Sequence, residues 1–235
     1  MQNGVWTALL DLLIPPRCEV CNTLQEPVIC AGCLQGFTAL PTPRCRQCDL
    51  PLDPLAHTDE HCAACRDDPP PFDAARAAGL YGSTLRQAIH VFKYEMVRAL
   101  ARPLADYALT QLTLPFPVDC LCPVPLHHAR EAMRGFNQSL LLAEHFGQCW
   151  QLPVAAELLI RTQNTTPQML LPLAQRRENV KGVFRARETL AACTVGLVDD
   201  VFTTGATLRE CSSVLKRAGA QRVLVITLAR AARQL

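Results

Sequence analysis

Residues 195–208 read VGLVDDVFTTGATL, and their types and spacing suit the binding of a phosphorylated sugar. The apolar, β-branched run 195–198 is the pattern of a buried parallel strand. It ends in two adjacent carboxylates, Asp199 and Asp200, and a loop of small residues follows: Thr203, Thr204, Gly205, Ala206 and Thr207. Residues 208–218 then have the spacing of an amphipathic helix, stopped by Gly219. Loop amides and a helix N-terminus pointing at one spot make an anion site, to which threonine hydroxyls add donors. Glycine and alanine let the backbone approach closely. The two acids would repel a phosphate but suit the hydroxyls of a sugar attached to it. A ribose 5-phosphate group satisfies both halves.

Such a loop needs a sheet edge beneath it. Short strands are expected at 77–81, 118–124 and 223–227, beside the one at 195–198. Helices are expected at 84–96 (Leu85, Ile89, Phe92, Met96), at 98–112 with Pro103 near its first turn, and at 136–148. Alternation of this kind predicts an α/β domain with a mostly parallel sheet that binds ligands at its C-terminal edge. The stretch 127–134, read as a loop, follows a strand to that same edge. Arg130 and Arg134 on it have the planar donors that suit phosphate oxygens.

The second chemistry is sulfur. Eight of the thirteen cysteines form four Cys-x-x-Cys pairs within the first 65 residues: Cys18/Cys21, Cys30/Cys33, Cys45/Cys48 and Cys62/Cys65. Two thiolates three residues apart occupy adjacent corners of a tetrahedron, and two such turns close a four-sulfur zinc site. The simplest partition is sequential, 18/21/30/33 and 45/48/62/65. The spacing leaves a crossed pairing open, and His57 or His61 open as a substitute ligand. Iron–sulfur ligation is the alternative to zinc. The segment is rich in proline and poor in large apolar residues, so metal binding would supply its folding energy. A secreted disulfide scaffold has no use for repeated two-residue spacing, and cysteine usage reads as a reducing cytoplasm. Cys120, Cys122, Cys149, Cys193 and Cys211 are expected as core thiols.

Of the 235 residues, 49% are hydrophobic, enough for a core, yet no apolar run approaches a membrane span. The apolar stretch 6–14 lacks a basic leader and a small-residue cleavage site, and reads as a short docked helix. Charge is uneven: residues 18–70 carry three basic and eight acidic side chains, and residues 71–235 nineteen basic and twelve acidic. An acidic cysteine module argues against a phosphate backbone as its partner, and a basic second unit argues for phosphates there. The prolines at 69–71 read as a stiff hinge between units at 18–70 and 71–235, with 1–17 as an N-terminal helical segment.

The stretch 195–208 resembles the phosphoribosyl-pyrophosphate (PRPP) loop of type I phosphoribosyltransferases, in which two acids precede a threonine-rich loop closing in Gly-Ala-Thr. Residues 122–143, CPVPLHHAREAMRGFNQSLLLA, and 161–184, RTQNTTPQMLLPLAQRRENVKGVF, match a narrower group. With the four cysteine pairs they resemble the ComF/GntX family, a double zinc ribbon fused to a phosphoribosyltransferase-like domain. The resemblance covers nearly the whole chain. Its marks are the run Arg134-Gly135-Phe136-Asn137-Gln138 and the spacing Thr165/Gln168/Arg176/Asn179.

The resemblance implies PRPP as ligand, with Mg²⁺, and two structural zinc ions. Asp199 and Asp200 would hold the ribose hydroxyls and be the catalytic acids of an active enzyme. Residues 203–207 would wrap the 5′-phosphate, and Arg130, Arg134 and Arg176 would hold the pyrophosphate. Residues 162–182 would close over the site, with Arg177 and Lys181 as further phosphate ligands and Lys93 facing it. The implied function is PRPP binding associated with DNA uptake or utilisation, with single-stranded DNA or a DNA-translocation protein as partner. The alternatives are an active phosphoribosyltransferase with an unknown acceptor and a PRPP-sensing regulator.

Overall fold

The structure, a computed structural model, describes residues 15–24, 26–55, 60–166, 171–172 and 175–232. The helix expected over 6–14, His57 and Gln168 lie outside them.

The cysteine module is a repeated unit. In each copy the first Cys-x-x-Cys pair sits on a tight turn through a left-handed residue, Asn22 (φ 62°) or Asp49 (φ 58°). Flanking residues pair across it, Arg17 with Leu24 and Arg44 with Pro51. The second pair straddles the start of a short helix, α1 (Ala31–Gln35) after Cys30 and α2 (Ala63–Asp67) after Cys62.

Beyond it, β1 (Ala74–Leu80), α3 (Ser83–Tyr94), a 3-10 turn (Arg98–Leu100), α4 (Ala101–Gln111), β2 (Cys120–Pro123), α5 (His128–Arg134) and α6 (Gln138–Trp150) follow in order. Then come β3 (Leu159–Arg161), a second 3-10 turn (Glu178–Val180), β4 (Phe184–Ala186), β5 (Thr194–Phe202), α7 (Ala206–Arg217) and β6 (Arg222–Arg230). The main sheet has four parallel strands in the order β1-β6-β5-β2, as the α/β pattern predicts. β3 and β4 form a separate antiparallel pair.

Side chains alternate across the central strands and feed two apolar layers. Leu224, Ile226 and Leu228 face α3, α4 and α6 through Leu85, Phe92, Leu104 and Phe146. Val223, Val225, Val195 and Leu197 face α7 and the β3–β4 pair through Leu208, Leu215 and Phe184. The ribbons join opposite layers. Cys18, Val20 and Phe37 pack with the first, Cys45, Leu52 and Cys65 with the second. The segment between them and the first turn of the second ribbon also cover the outer side of β1, whose Leu80 amide donates to Thr38 O (2.8 Å) and Ala77 amide to Asp49 Oδ2 (2.8 Å). An edge strand is thereby kept from pairing with another chain.

Three expectations are revised. β5 and β6 each run nine residues, because their parallel register continues to Phe202 opposite Arg230, so both acids lie within β5 and not beyond its end. Residues 128–134 are helical and not a loop; His127 Nδ1 accepts from the Ala129 amide (3.3 Å), and Gly135, at φ 76°, ends the helix. The stretch at 69–71, read as a hinge, is tied down on both sides. Gln47 Nε2 donates to Pro70 O and Phe72 O (3.3 Å each), and Arg209 donates to Pro69 O (3.4 Å).

Candidate functional site

A cleft of about 680 Å³ opens at the C-terminal edge of the sheet, where Asp199 and Asp200 on β5 face the last turns of α3. α3 is amphipathic: Leu85, Ala88, Ile89 and Phe92 are buried against the sheet. That packing turns Lys93 toward the acids, and its Nζ lies 2.7 Å from Asp200 Oδ1. The first residues of α6 supply Ser139, whose hydroxyl donates to Asp199 Oδ1 (2.9 Å). The Asp200 amide donates to the same oxygen (2.9 Å). Burial, and then the neighbouring Asp200 charge, push the Asp199 carboxyl up to about 7. Burial pulls the Lys93 ammonium down, but Asp200 and Asp199 more than offset that, and its pKa stands above the ordinary lysine value.

The opposite wall is cationic. Arg130 and Arg134 come from α5, Arg161 from β3, Arg176 from the segment beyond it, and Arg86 from α3. Several of these side chains are held by neutral oxygens. Arg130 donates to Thr165 O, Arg134 to Gln138 Oε1 (2.7 Å), and Arg176 to Leu171 O (3.1 Å). Arg161 donates to Thr165 Oγ1 (2.7 Å) and Gln163 O (3.2 Å). Among the described residues, Arg130, Arg134, Arg161 and Arg176 form no ion pair with a carboxylate. Burial, and then the Arg134 charge, lower the Arg130 pKa; burial and then Arg130 lower that of Arg161. A wall of mutually repelling guanidiniums held in place by carbonyls is suited to a polyanion, which would remove the repulsion.

The loop between β5 and α7 borders this cleft through Thr203 and Thr207. Gly205 stands at φ 78°, and a Cβ there would meet Phe202 Cε2 at 2.5 Å, so glycine is required on two counts. Thr204 Oγ1 accepts from the Ala206 amide (3.4 Å), which shapes the turn into α7. Ala206 is buried on the far side, facing another hollow between α7 and the second ribbon.

Of the side chains singled out from sequence, Lys93, Arg130, Arg134, Arg176, Asp199, Asp200, Thr203 and Thr207 line the cleft together. Arg177 and Lys181 do not: Arg177 pairs with Asp68 of the second ribbon, and Lys181 Nζ lies 3.8 Å from Glu178. Val180 is buried at the 3-10 turn, which directs its charged neighbours toward the ribbon. Thr165 and Asn179 act within the segment, Asn179 Nδ2 donating to Thr166 O (2.9 Å), while Thr165 receives both Arg130 and Arg161. Ser139, Arg161 and Arg86 were not anticipated. Ser139 directly follows the 134–138 run and Arg161 opens the family-matching segment 161–184, so both signals were available in sequence.

The cysteines divide sequentially into two clusters, 18/21/30/33 and 45/48/62/65, with all sulfurs of each cluster within 4.8 Å of one another. Cys18–Cys33, Cys21–Cys30 and Cys48–Cys62 are 3.8, 3.7 and 3.6 Å apart. Zinc–sulfur bonds of about 2.3 Å in a tetrahedron place sulfurs about 3.8 Å apart, so the donor sets fit two four-sulfur zinc sites. His61 belongs to neither cluster. Among the described residues, no helix is long and apolar enough to cross a membrane.

Comparison with known proteins bears on the cysteine module and on the family of the chain. Residues 9–66 match the model of the double zinc ribbon domain. Competence protein F of Haemophilus influenzae is 34% identical over 230 residues, covering 92% of this chain and 97% of that protein. DNA utilization protein YhgH of Escherichia coli K12 is 33% identical over 231 residues, covering 93% and 99%. Among solved structures, adenine phosphoribosyltransferase from Leishmania donovani aligns with a TM-score of 0.35 and 13% identity, over 60% of this chain and 68% of that one.

Proposed function

The chain belongs to the ComF/GntX family, that of competence protein F and DNA utilization protein YhgH, and from this premise we propose that its cleft binds PRPP with Mg²⁺ in the service of DNA uptake or utilisation. The observation that carries the reading is the two-sided cleft, with paired carboxylates on β5 and, opposite, four arginines that form no ion pair among the described residues. Asp199 and Asp200 accept hydrogen bonds from the ribose 2′- and 3′-hydroxyls. The 203–207 loop and the α7 N-terminus take the 5′-phosphate. Arg130, Arg134, Arg161 and Arg176 take the pyrophosphate, the moiety with the highest charge density. Magnesium would be held chiefly by the pyrophosphate, with no dedicated protein cage required, and would supply positive charge beside that of Arg130, Arg134, Arg161 and Arg176.

Should turnover occur, pyrophosphate leaves C1′ as an acceptor nitrogen attacks, through an oxocarbenium-like state. The arginines stabilise the departing charge and the acids hold the ribose in place. The basic character of residues 71–235 supports a second role for this unit, contact with single-stranded DNA.

Calorimetric titration of the zinc-replete protein with PRPP and Mg²⁺, followed by a mixture of nucleobases, tests the reading. Micromolar binding that Asp200→Asn weakens at least about tenfold supports it, and heat of turnover on adding bases makes the protein an enzyme. Absence of binding overturns it.

A further inference from the structure

From its contacts we infer that Arg230 is a positioning residue that ties the second zinc ribbon to the candidate phosphate loop, so that the loop keeps its shape only while that ribbon holds its metal. The inference rests on the reading of residues 203–207 as a phosphate loop.

Arg230 ends β6 and is only 4% exposed. Its Nε donates to Cys48 O (3.0 Å), inside the second ribbon's first knuckle. Its Nη1 donates to Phe202 O (3.0 Å), Thr203 O (2.8 Å) and Ala231 O (2.9 Å), gripping the loop where it leaves β5. The guanidinium lies 3.9 Å from the centre of the Phe202 ring, the same ring that packs under Gly205. One side chain thus joins a metal knuckle, the start of the loop and the aromatic floor beneath its glycine.

The electrostatics make the link conditional on metal. A buried guanidinium needs a counter-charge, and among the described residues Arg230 forms no ion pair with a carboxylate. The buried Asp49 nearby is engaged by Arg44 (3.5 Å) and Arg76 (3.9 Å). Arg230 Nη2 lies 4.0 Å from Cys48 Sγ. Four thiolates around one divalent cation carry a formal surplus of two negative charges. Asp49 compensates Arg230 only through space; the filled ribbon adds negative charge beside it, and loss of the metal that folds the knuckle frees the segment carrying Cys48 O, the acceptor of Arg230 Nε. Among the described residues the first ribbon makes no such connection: it packs against α3, where Gln87 Nε2 donates to Val20 O (2.6 Å). The two zinc sites are thus unequal, with only the second coupled to the loop.

Hydrogen exchange of residues 203–207, read with zinc content, tests this. Arg230→Lys keeps the charge but cannot span Cys48, Phe202 and Thr203 at once. It is expected to retain both zinc ions, to speed exchange of the loop amides about tenfold, and to weaken Mg–PRPP binding by a similar factor. Asp200→Asn is expected to weaken binding with loop exchange unchanged. A measurement on the wild type needs no variant: as a chelator withdraws the zinc ions, loop protection must fall with the second-ribbon zinc and not with the first. By linkage, Mg–PRPP must tighten the equilibrium zinc affinity of the second site, and not that of the first, about tenfold. Loop exchange that ignores both Arg230→Lys and loss of the second zinc overturns the inference. If the wild type takes up no PRPP, the reading of the cleft fails. The exchange comparison then decides the coupling alone.

Discussion

Asp199→Asn removes one charge from the acid pair while keeping its shape, and the expected result is a more stable protein with a poorer site. In the wild type, Asp199 Oδ1 accepts from the Ser139 hydroxyl and the Asp200 amide, both at 2.9 Å. An asparagine oxygen accepts both, and its amide faces Asp200 without repulsion. The carboxyl is raised from 3.8 to about 7, by burial first and the Asp200 charge second. A carboxyl raised on folding leaves the folded state binding more protons than the unfolded one, so stability falls as pH climbs from about 4 to about 7. That displacement corresponds to a cost of about 4 kcal/mol above pH 7. Attraction to Lys93 already holds that value down, so the figure includes it. A gain of about 4 kcal/mol at pH 8 is expected, a rise of about 10 °C in Tm for a chain of this size. The gain should shrink below pH 7 and vanish near pH 4. Thermal melts of both proteins across pH 4–8.5, with PRPP titrations at pH 8, read stability and binding separately. A variant that melts lower than wild type at pH 8, or gains equally at every pH, refutes the reasoning.

Gly205→Ala must strain a φ of 78° and drive a methyl into the Phe202 ring. It should cost about 2 kcal/mol in denaturant unfolding and disorder the loop, seen as lost PRPP affinity. Arg161→Ala removes a cation repelled by Arg130. Its melting temperature should stay within about 2 °C of wild type, while affinity for inorganic pyrophosphate measured calorimetrically falls at least tenfold, about 1.4 kcal/mol. A Tm loss with unchanged pyrophosphate binding would make Arg161 a structural residue. Lys93→Met strips the 2.7 Å partner from Asp200 and leaves two adjacent acids facing each other. The expected cost is about 3 kcal/mol at pH 8, smaller at pH 5 where the pair takes up a proton, and pH-dependent chemical denaturation reads it directly.

Much of this protein is local information. The four Cys-x-x-Cys pairs reveal their metal because two thiolates three residues apart already share a tetrahedron's edge, whatever the surroundings. The run 195–208 exposes strand, acids, glycine loop and helix in one reading, since a βα turn is built from neighbours in sequence. Alternating apolar segments announce a parallel sheet because the period of each element is set by its own backbone.

Other features exist only after folding. Helix α5 was hidden because its seven residues bury none of their side chains, leaving no periodicity to read. Arg161 enters the cleft only because β3 pairs with β4, whose Phe184 lies 23 residues further along. Arg177 and Lys181 carry the same charge as Arg176, yet the 3-10 turn at 178–180 sends them to the second ribbon. Which zinc site touches the loop is decided across 182 residues of sequence separation, by Arg230 meeting Cys48. The sequence by itself determined the groups available and the elements that bear them, because spacing along the backbone is enough for both. Only the tertiary structure decided which cations stand opposite the two acids and which ribbon supports the loop. Charge and distance act through space, and the chain specifies that space only when its layers have packed.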